Sequence, residues 1–292
     1  MSLFVARFVG GISYYIMGLR RDVACENFSH VLGKPCDDPQ VRHVAHESFK
    51  NFAALMRDVM LYPSMSMQEL DQRVTIRNPE HIAEGLARGK GIIIVSAHFG
   101  NMDLPSAVLA HRFAPIALVS EALRPQQLMD YLTKIRGDRQ VNMNTYDRAP
   151  RKMIEALKRN EMAAFLIDFG VTHHFDMHIV PVTLFGAETK FPTGPAQMAL
   201  LTGASIIVGH AHVADNGHID VYTNPPLVVS RTKDRKHDIE AGMQKIAKLM
   251  EDFIRLYPEQ WYIFRPMWSD AETLKRNIPS LSQPIPSRDA ID

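Results

Sequence analysis

Hydrophobic side chains in this chain recur at two alternating spacings. Between residues 40 and 62 they fall at helical intervals, with Val41, Val44, Ala45, Phe49, Phe52, Met56 and Val59 on one face, and Pro63 closes the segment. Asn78-Pro79 opens a second helix that runs through Leu86, and Gly89 and Gly91 bracket a turn into the β-branched run Ile92 to Ala97. After Asp103 a helix is predicted to His111, then an apolar run at Ile116–Val119, then a helix from Pro125 to about Arg136. Val141–Thr145 reads as a weak strand, Pro150–Arg159 as a helix, Ala163–Ile167 as a strand ending at Asp168, and Ile179–Leu184 as a further strong strand. Pro192-Thr193-Gly194-Pro195 leads into a helix through Leu201. Ser205–Val213 and Ile219–Thr223 form a predicted hairpin around Asn216-Gly217. Ile239, Met243, Ile246, Met250, Phe253 and Tyr257 mark a helix over 235–257.

Strands alternating with helices predict an α/β domain: a central, mostly parallel or mixed sheet flanked by helices. No repeat or linker divides it. The expected organisation is an N-terminal membrane-associated helix over 1–22, one α/β domain over 23–279 and a disordered Pro-, Ser- and Asp-rich tail over 280–292.

The N-terminal helix is set apart by its chemistry. Met1 to Leu19 has no acidic residue and one basic residue, Arg7, and it ends in Arg20-Arg21. Spanning a bilayer takes about 20 apolar residues, and an arginine at mid-span costs about 2.5–3.5 kcal/mol. No small-residue cleavage site follows an apolar core. The segment is expected to lie in or dip into a membrane surface, with Arg20 and Arg21 at the headgroups. The alternative is a helix packed on the domain itself.

Bulk composition narrows the partners. With 33 basic and 32 acidic residues the formal charge is +1, which gives no support to nucleic-acid binding. The two cysteines, Cys25 and Cys36, are too few for a disulfide framework and match no zinc spacing, so a reducing compartment, unremarkable thiols and no metal are expected, with a thiol nucleophile as the alternative.

The candidate chemistry lies in His98-Phe-Gly-Asn-Met-Asp103, at the carboxyl end of a predicted buried strand. Ligands of α/β domains bind there. Asp103 could hold one ring nitrogen of His98 and leave the other as a base. A buried histidine beside a helix-capping aspartate is the plainer alternative. No Gly-x-Ser-x-Gly elbow is present, and Ser96 would need a sharp backbone bend to act as a nucleophile. Asp168-Phe169-Gly170 has the form of a kinase magnesium motif but lacks the accompanying loops. His210 and His212 form an i, i+2 pair without a third metal ligand in suitable spacing, and His173, His174 and His178 lie in a predicted loop.

Four segments together resemble the lipid A biosynthesis (lauroyl/myristoyl) acyltransferase family, which includes phosphatidylinositol mannoside acyltransferases. They are His98 to Asp103; Glu121 to Leu128 with Arg136-Gly137; Asp168 through Pro181, Phe185-Gly186 and Pro192 to Ala196; and Pro258-Glu259-Gln260-Trp261 with Arg265. The stretch from Arg20 to Gly33, with Asn27, also fits. The resemblance implies a glycerolipid acyltransferase-like fold and acyl transfer from a thioester, on acyl carrier protein or coenzyme A, to a hydroxyl of a membrane glycolipid. The implied location is the cytoplasmic face of the inner membrane, and no bound cofactor is implied.

Carried onto this sequence, His98 would be the general base and Asp103 its partner, with Glu121, Arg136 and Asp168 lining the site. Arg136 would hold a phosphate or the thioester region, or form an ion pair with Glu121. Gly170 departs from the family's second acidic position, and Asp rather than Glu at 103 leans toward the mannoside type. Thr193 and Gly194, at a helix start, would offer N–H groups to the oxyanion; alternatively, Thr193 is simply an N-cap. The resemblance leaves two other uses of the site open: a thioesterase or lipid esterase in which His98 activates water, and a non-catalytic lipid-binding protein.

Overall fold

The computed structural model describes residues 2–120, 125–145, 149–168 and 178–268. The chain begins with two helices, α1 (Leu3–Ile16) and α2 (Gly18–Leu32), broken at Met17, followed by α3 (Pro39–Leu61) and α4 (Met67–Arg73). Strand β1 (Val74–Ile76) and α5 (Pro79–Ala87) lead to β2 (Ile92–Ser96). The pattern then alternates: α6 (Asp103–Arg112), β3 (Ile116–Ser120), α7 (Gln126–Gly137), β4 (Val141–Thr145), α8 (Ala149–Lys158) and β5 (Met162–Leu166). A hairpin of β6 (Ile179–Leu184) and β7 (Ala187–Pro192) precedes α9 (Gly194–Thr202), β8 (Ser205–Val213), β9 (Ile219–Thr223) and α10 (Arg235–Leu256).

Among the described residues seven strands form one sheet, in the order β1-β9-β8-β2-β5-β3-β4. Its pairs are parallel except β8 with β9, the hairpin that the Asn-Gly turn signals. The mostly parallel α/β architecture expected from the alternation is therefore present. The two faces of β2 show why its sequence is apolar throughout. Ile93, Val95 and Ala97 join the core beneath α8, α9 and α10, while Ile92 faces the core formed with α5 and α6.

Strand β6 differs from expectation. It belongs to a separate two-stranded antiparallel sheet with β7. Pro181 has no N–H for a ladder, which confines it to an edge, and β6 alternates exposed and buried positions. Gln244 of α10 bonds the Thr183 N–H and carbonyl at 2.8 and 2.9 Å and ties the hairpin down.

The N-terminal segment is also not one helix over 1–22, and it is short. The 14 residues of α1 rise about 21 Å, against an apolar bilayer core of about 30 Å. Among the described residues no helix is long and apolar enough to cross a membrane. One side of α1, formed by Ala6, Gly10 and Tyr14, is buried. A Cβ on Gly10 would sit 2.5 Å from the Phe49 carbonyl oxygen, so the small residue sets how closely α1 meets α3. Arg7 pairs with Glu47 of α3 at 3.0 Å. The other side leaves Phe4 79% and Ile16 76% exposed, with Phe8 and Tyr15 beside them. Arg21 faces outward and pairs with Asp22. Arg20 instead turns inward and donates to the Phe264 carbonyl at 2.7 Å.

Gly10→Leu is expected to destabilise the protein by about 1–3 kcal/mol through overpacking, with α1 the first element to loosen. Thermal melts followed by circular dichroism, combined with limited proteolysis mapped to residues 2–17, check this. An unchanged midpoint and protection pattern would show that α1 is not seated on α3 as described.

Candidate active site

The parallel register of β2 and β5 pairs Ser96 with Leu166. Two residues further along each strand, His98 and Asp168 stand side by side on one sheet face. The His98 ring Nδ1 lies 2.8 Å from Asp168 Oδ1, and the His98 backbone N–H donates to Oδ2 at 2.9 Å. The indole N–H of Trp261 donates to the same Oδ2 at 2.8 Å. The Asp168 side chain is fully buried, whereas that of His98 is 41% exposed. Burial works to raise the Asp168 carboxyl's pKa. The His98 charge, its two hydrogen bonds and the Trp261 bond outweigh burial and hold the group below the ordinary carboxylate value. Asp168 is therefore ionised at neutral pH, and an ionised partner fixes the proton of the imidazole on Nδ1.

The expectation that Asp103 orients His98 is corrected: Asp168 makes the contact to Nδ1. The turn after His98 explains the difference. Gly100 has φ +57° and donates to the Gln260 carbonyl, and a Cβ there would lie 1.7 Å from the Ala211 carbonyl oxygen. Only glycine fits that approach. Asn101 then accepts from the N–H groups of Asp103 and Leu104 and caps α6, at 3.2 and 3.1 Å. Asp103 enters the first helical turn with its carboxylate toward α7, where it accepts from Arg136 Nε at 2.6 Å. Arg136 also approaches Met143 Sδ, at 3.1 Å. Its charge is thus matched within the protein.

His98, Asp103, Arg136 and Asp168 all line one cavity of about 1140 Å³. Its floor is the sheet face of Ile94, Ser96, Leu118, Ser120, Ala164, Leu166, Ile207 and Gly209, and its walls come from α1, α3, α6 and α7. Phe52, Met56, Leu128 and Leu132 are among the wall residues, so the lining is largely apolar. The Ser120 hydroxyl also lines this space and, among the described residues, is buried without a hydrogen-bond partner.

Thr193 and Gly194 are not brought to this cavity. Thr193 gives both its N–H and its hydroxyl to the His178 carbonyl, at 2.9 and 3.0 Å. Gly194 abuts the Phe165 ring, where a Cβ would come within 3.1 Å. Proximity to a helix start is therefore spent on closing the β6–β7 hairpin, which corrects the expected oxyanion role. Glu121, Phe169, Gly170, His173, His174 and the tail 280–292 lie outside the described residues. His210 is stacked between Tyr222 and Phe253, with centroids at 5.3 and 4.6 Å, and His212 is stacked on Tyr257. Among the described residues no group of three or more His, Cys, Asp or Glu could hold a metal ion. Burial pushes both thiols up, Cys36 to about 11, so neither is a ready nucleophile.

Sequence reasoning missed Trp261 as a site residue. A buried tryptophan requires an acceptor for its single N–H, and that requirement was the signal in Pro-Glu-Gln-Trp.

A family model described as bacterial lipid A biosynthesis acyltransferase matches residues 2–270. The chain belongs to this family. It is an acyltransferase. It is similar to the phosphatidylinositol mannoside acyltransferase of Mycolicibacterium smegmatis, 27% identical over 248 residues that cover 83% of this chain and 77% of the relative. Its likeness to the enzyme of the same description from Mycobacterium tuberculosis is 26% over 254 residues, covering 83% and 75%.

The acyltransferase's stability should respond to acid through His210. Burial, then the neighbouring His212, lowers its pKa to about 4, against about 6.5 in an unfolded chain. Between those values the unfolded state takes up a proton that the native state refuses, so stability falls as pH drops from about 6.5 toward 4. His210→Phe should flatten that fall. Urea melts of both proteins at pH 7 and 5 test it, and an identical loss in the variant would count against the buried neutral imidazole.

Proposed function

We propose that this acyltransferase moves a fatty acyl group from a thioester to a hydroxyl of a membrane glycolipid, with His98 as general base and Asp168 as its orienting partner. The observation that carries this reading is the Asp168–His98 pair on the wall of a large apolar cavity. With Nδ1–H given to Asp168, Nε2 holds the basic lone pair. The acceptor hydroxyl passes its proton to Nε2 as its oxygen attacks the thioester carbonyl. The C–S bond then breaks, and the leaving thiolate takes that proton back. Asp168 stabilises the intervening imidazolium without itself becoming protonated. A base of this kind contributes about 10²–10⁴-fold. The thioester is already activated, so no covalent enzyme intermediate is required.

The same arrangement suits a long chain. Each methylene moved from water into the cavity is worth about 0.8 kcal/mol, and Phe52, Met56 and Leu132 offer the surface to receive it. The donor carrier is acyl carrier protein or coenzyme A. The glycolipid acceptor is suggested by the activity that the relatives' descriptions name. The Asp103–Arg136 ion pair has a positioning role: it ties α6, which follows the His98 turn, to α7.

Access to such an acceptor calls for a lipid-facing surface. The reading places this at the cytoplasmic face of the inner membrane, on the exposed side of α1 with Phe4, Phe8, Tyr15 and Ile16.

Supplied with labelled acyl donor and glycolipid, the wild type should label the lipid. His98→Ala should abolish transfer, and Asp168→Asn should cut it by at least about 10²-fold, while circular dichroism shows both variants folded. Full transfer by His98→Ala would remove the base assignment. Label released as free fatty acid whatever the acceptor would favour the hydrolase.

Phe4→Glu with Phe8→Glu should greatly reduce co-sedimentation with anionic vesicles without lowering the melting midpoint. Undiminished co-sedimentation would rule out α1 as the docking surface.

A further inference from the structure

The turn that carries His98 is anchored to a buried carboxylate outside the cavity. Asp58, on α3, is 6% exposed. Its Oδ1 accepts from Arg57 Nη1 at 2.8 Å, and its Oδ2 accepts from Arg73 Nη2 and from the Asn101 side-chain amide, each at 3.1 Å. Arg73 also donates to the Gly217 carbonyl at 3.3 Å, in the turn between β8 and β9. One group therefore joins α3, α4, the β8–β9 turn and the segment between His98 and Asp103. Burying a carboxylate is costly unless donors meet it, and here they come from three parts of the chain. Neither Asp58 nor Asn101 is among the described residues that line the cavity. The acid–base pair does not account for them.

Asn101 converts this anchor into geometry. It is 1% exposed, and its amide has both an oxygen and an NH2 to satisfy. The Oδ1 accepts from the N–H groups of Asp103 and Leu104 and starts α6. That leaves Nδ2 as a buried donor, and the Asp58 carboxylate is its acceptor. The carboxylate thus decides which way the amide faces. Reversed, Nδ2 would meet two N–H groups and Oδ1 would meet a carboxylate, leaving every one of these groups unsatisfied. The Asn101 backbone N–H donates to the Ala211 carbonyl at 3.3 Å, so main chain and side chain are both held. Asn101 stands between His98 and Asp103 in the chain. Its fixed amide therefore sets the exit of the turn and the start of the helix from which Asp103 reaches Arg136.

We propose that Asp58 is a positioning residue for the acyltransferase: by holding the Asn101 amide it fixes the turn on which His98 presents Nε2 to the acceptor hydroxyl. The proposal rests on the acyl-transfer reading, in which His98 is the base. Misplacing a reacting group by about 1 Å costs about 10²-fold in rate. The expected signature is therefore a fall in kcat at nearly constant KM, because the groups that line the cavity and bind substrate are untouched. Met56 and Val59, beside Asp58 on α3, do line the cavity. The wall that meets the acyl chain and the anchor of the base thus belong to one helix.

Exchanging the two side chains in the full chain tests this. Asn101→Asp keeps an oxygen to cap α6, since aspartate caps as well as asparagine, but sets a second carboxylate against Asp58. In the labelling assay it should lower kcat by at least about tenfold and leave KM within about twofold of the wild type. Adding Asp58→Asn places an NH2 opposite the new carboxylate and restores the hydrogen bond with its direction reversed. The double variant should recover most of the lost kcat. A residue that served stability alone would shift the melting midpoint and leave the kcat of the folded enzyme unchanged. A wild-type kcat in folded Asn101→Asp, or a double variant no faster than that single one, overturns the proposal. Where Asn101→Asp fails to fold, Asn101→Ser decides: serine also caps a helix but gives Asp58 no amide, and an unchanged kcat there likewise overturns it. Hydrogen exchange at the Asp103 and Leu104 amides needs no turnover. It should quicken by at least about tenfold in the folded single variant and slow again in the double variant, and unchanged exchange counts against the anchor. Full transfer by His98→Ala would remove the base while leaving this exchange result intact, so the two failures are read separately.

Discussion

The buried Asp168 carboxylate is the constraint on which the active site depends. An ionised carboxylate taken out of water costs several kcal/mol unless its lone pairs are met. Here three donors meet it: the ring and backbone of His98 and the indole of Trp261. Two of the donors belong to His98, just beyond the end of β2, and the third, the indole, to the segment after α10. The same charge that gives His98 its tautomer therefore holds the carboxyl ends of β2 and β5 against the C-terminal segment. Loss of one partner would leave a buried charge partly unsatisfied, so the chemistry and the local fold are linked through one group.

Much of the sheet was legible in the chain. Runs such as Ile92–Ala97 and Ser205–Val213 are apolar on both faces because helices or the cavity wall cover both, and turn residues such as Asn216-Gly217 mark their boundaries. His98 and Asp168 were both legible as strand-end residues. Their pairing was not, because sequence adjacency favours Asp103 and only the β2–β5 register brings residues 70 positions apart together. Thr193 failed for a related reason. Its position at a helix start was read correctly, but the direction of its N–H is set by the hairpin strand beside it, which no local pattern reports. Val74–Ile76 and Ala187–Pro192 were missed as strands. The first has three residues, and the second carries Glu188 and Lys190 on a half-exposed edge.

The cavity itself is a consequence of residue size on one sheet face. Ser96, Ala164 and Gly209 stand where larger side chains would fill the space beneath α3 and α7. At Gly209 a Cβ would lie 2.9 Å from the Tyr222 carbonyl oxygen, so strand packing as well as cavity shape calls for a small residue there. The opposite face, with Val95, Phe165 and Val208, is filled by helices in the ordinary way. A sheet packed over one face and hollow over part of the other gives a rigid floor for the His98–Asp168 pair and leaves the adaptable surfaces on helices.

Helix α1 connects that hollow to the outside. Ala6, Val9, Gly10 and Ser13 line the cavity, while Phe4, Phe8, Tyr15 and Ile16 are exposed on the same two-faced helix. On the proposed docking, the element resting on lipid is also a wall of the acyl-binding space, so a chain leaving the bilayer would travel along apolar surface the whole way. Gly10 then serves two ends at once. It lets α1 seat closely on α3, and it keeps the wall thin where the helix meets the cavity. Close seating also brings the inward-turned Arg20 of the following helix beside Phe264, so the position of the guanidinium and the path of the acyl chain depend on one helix contact.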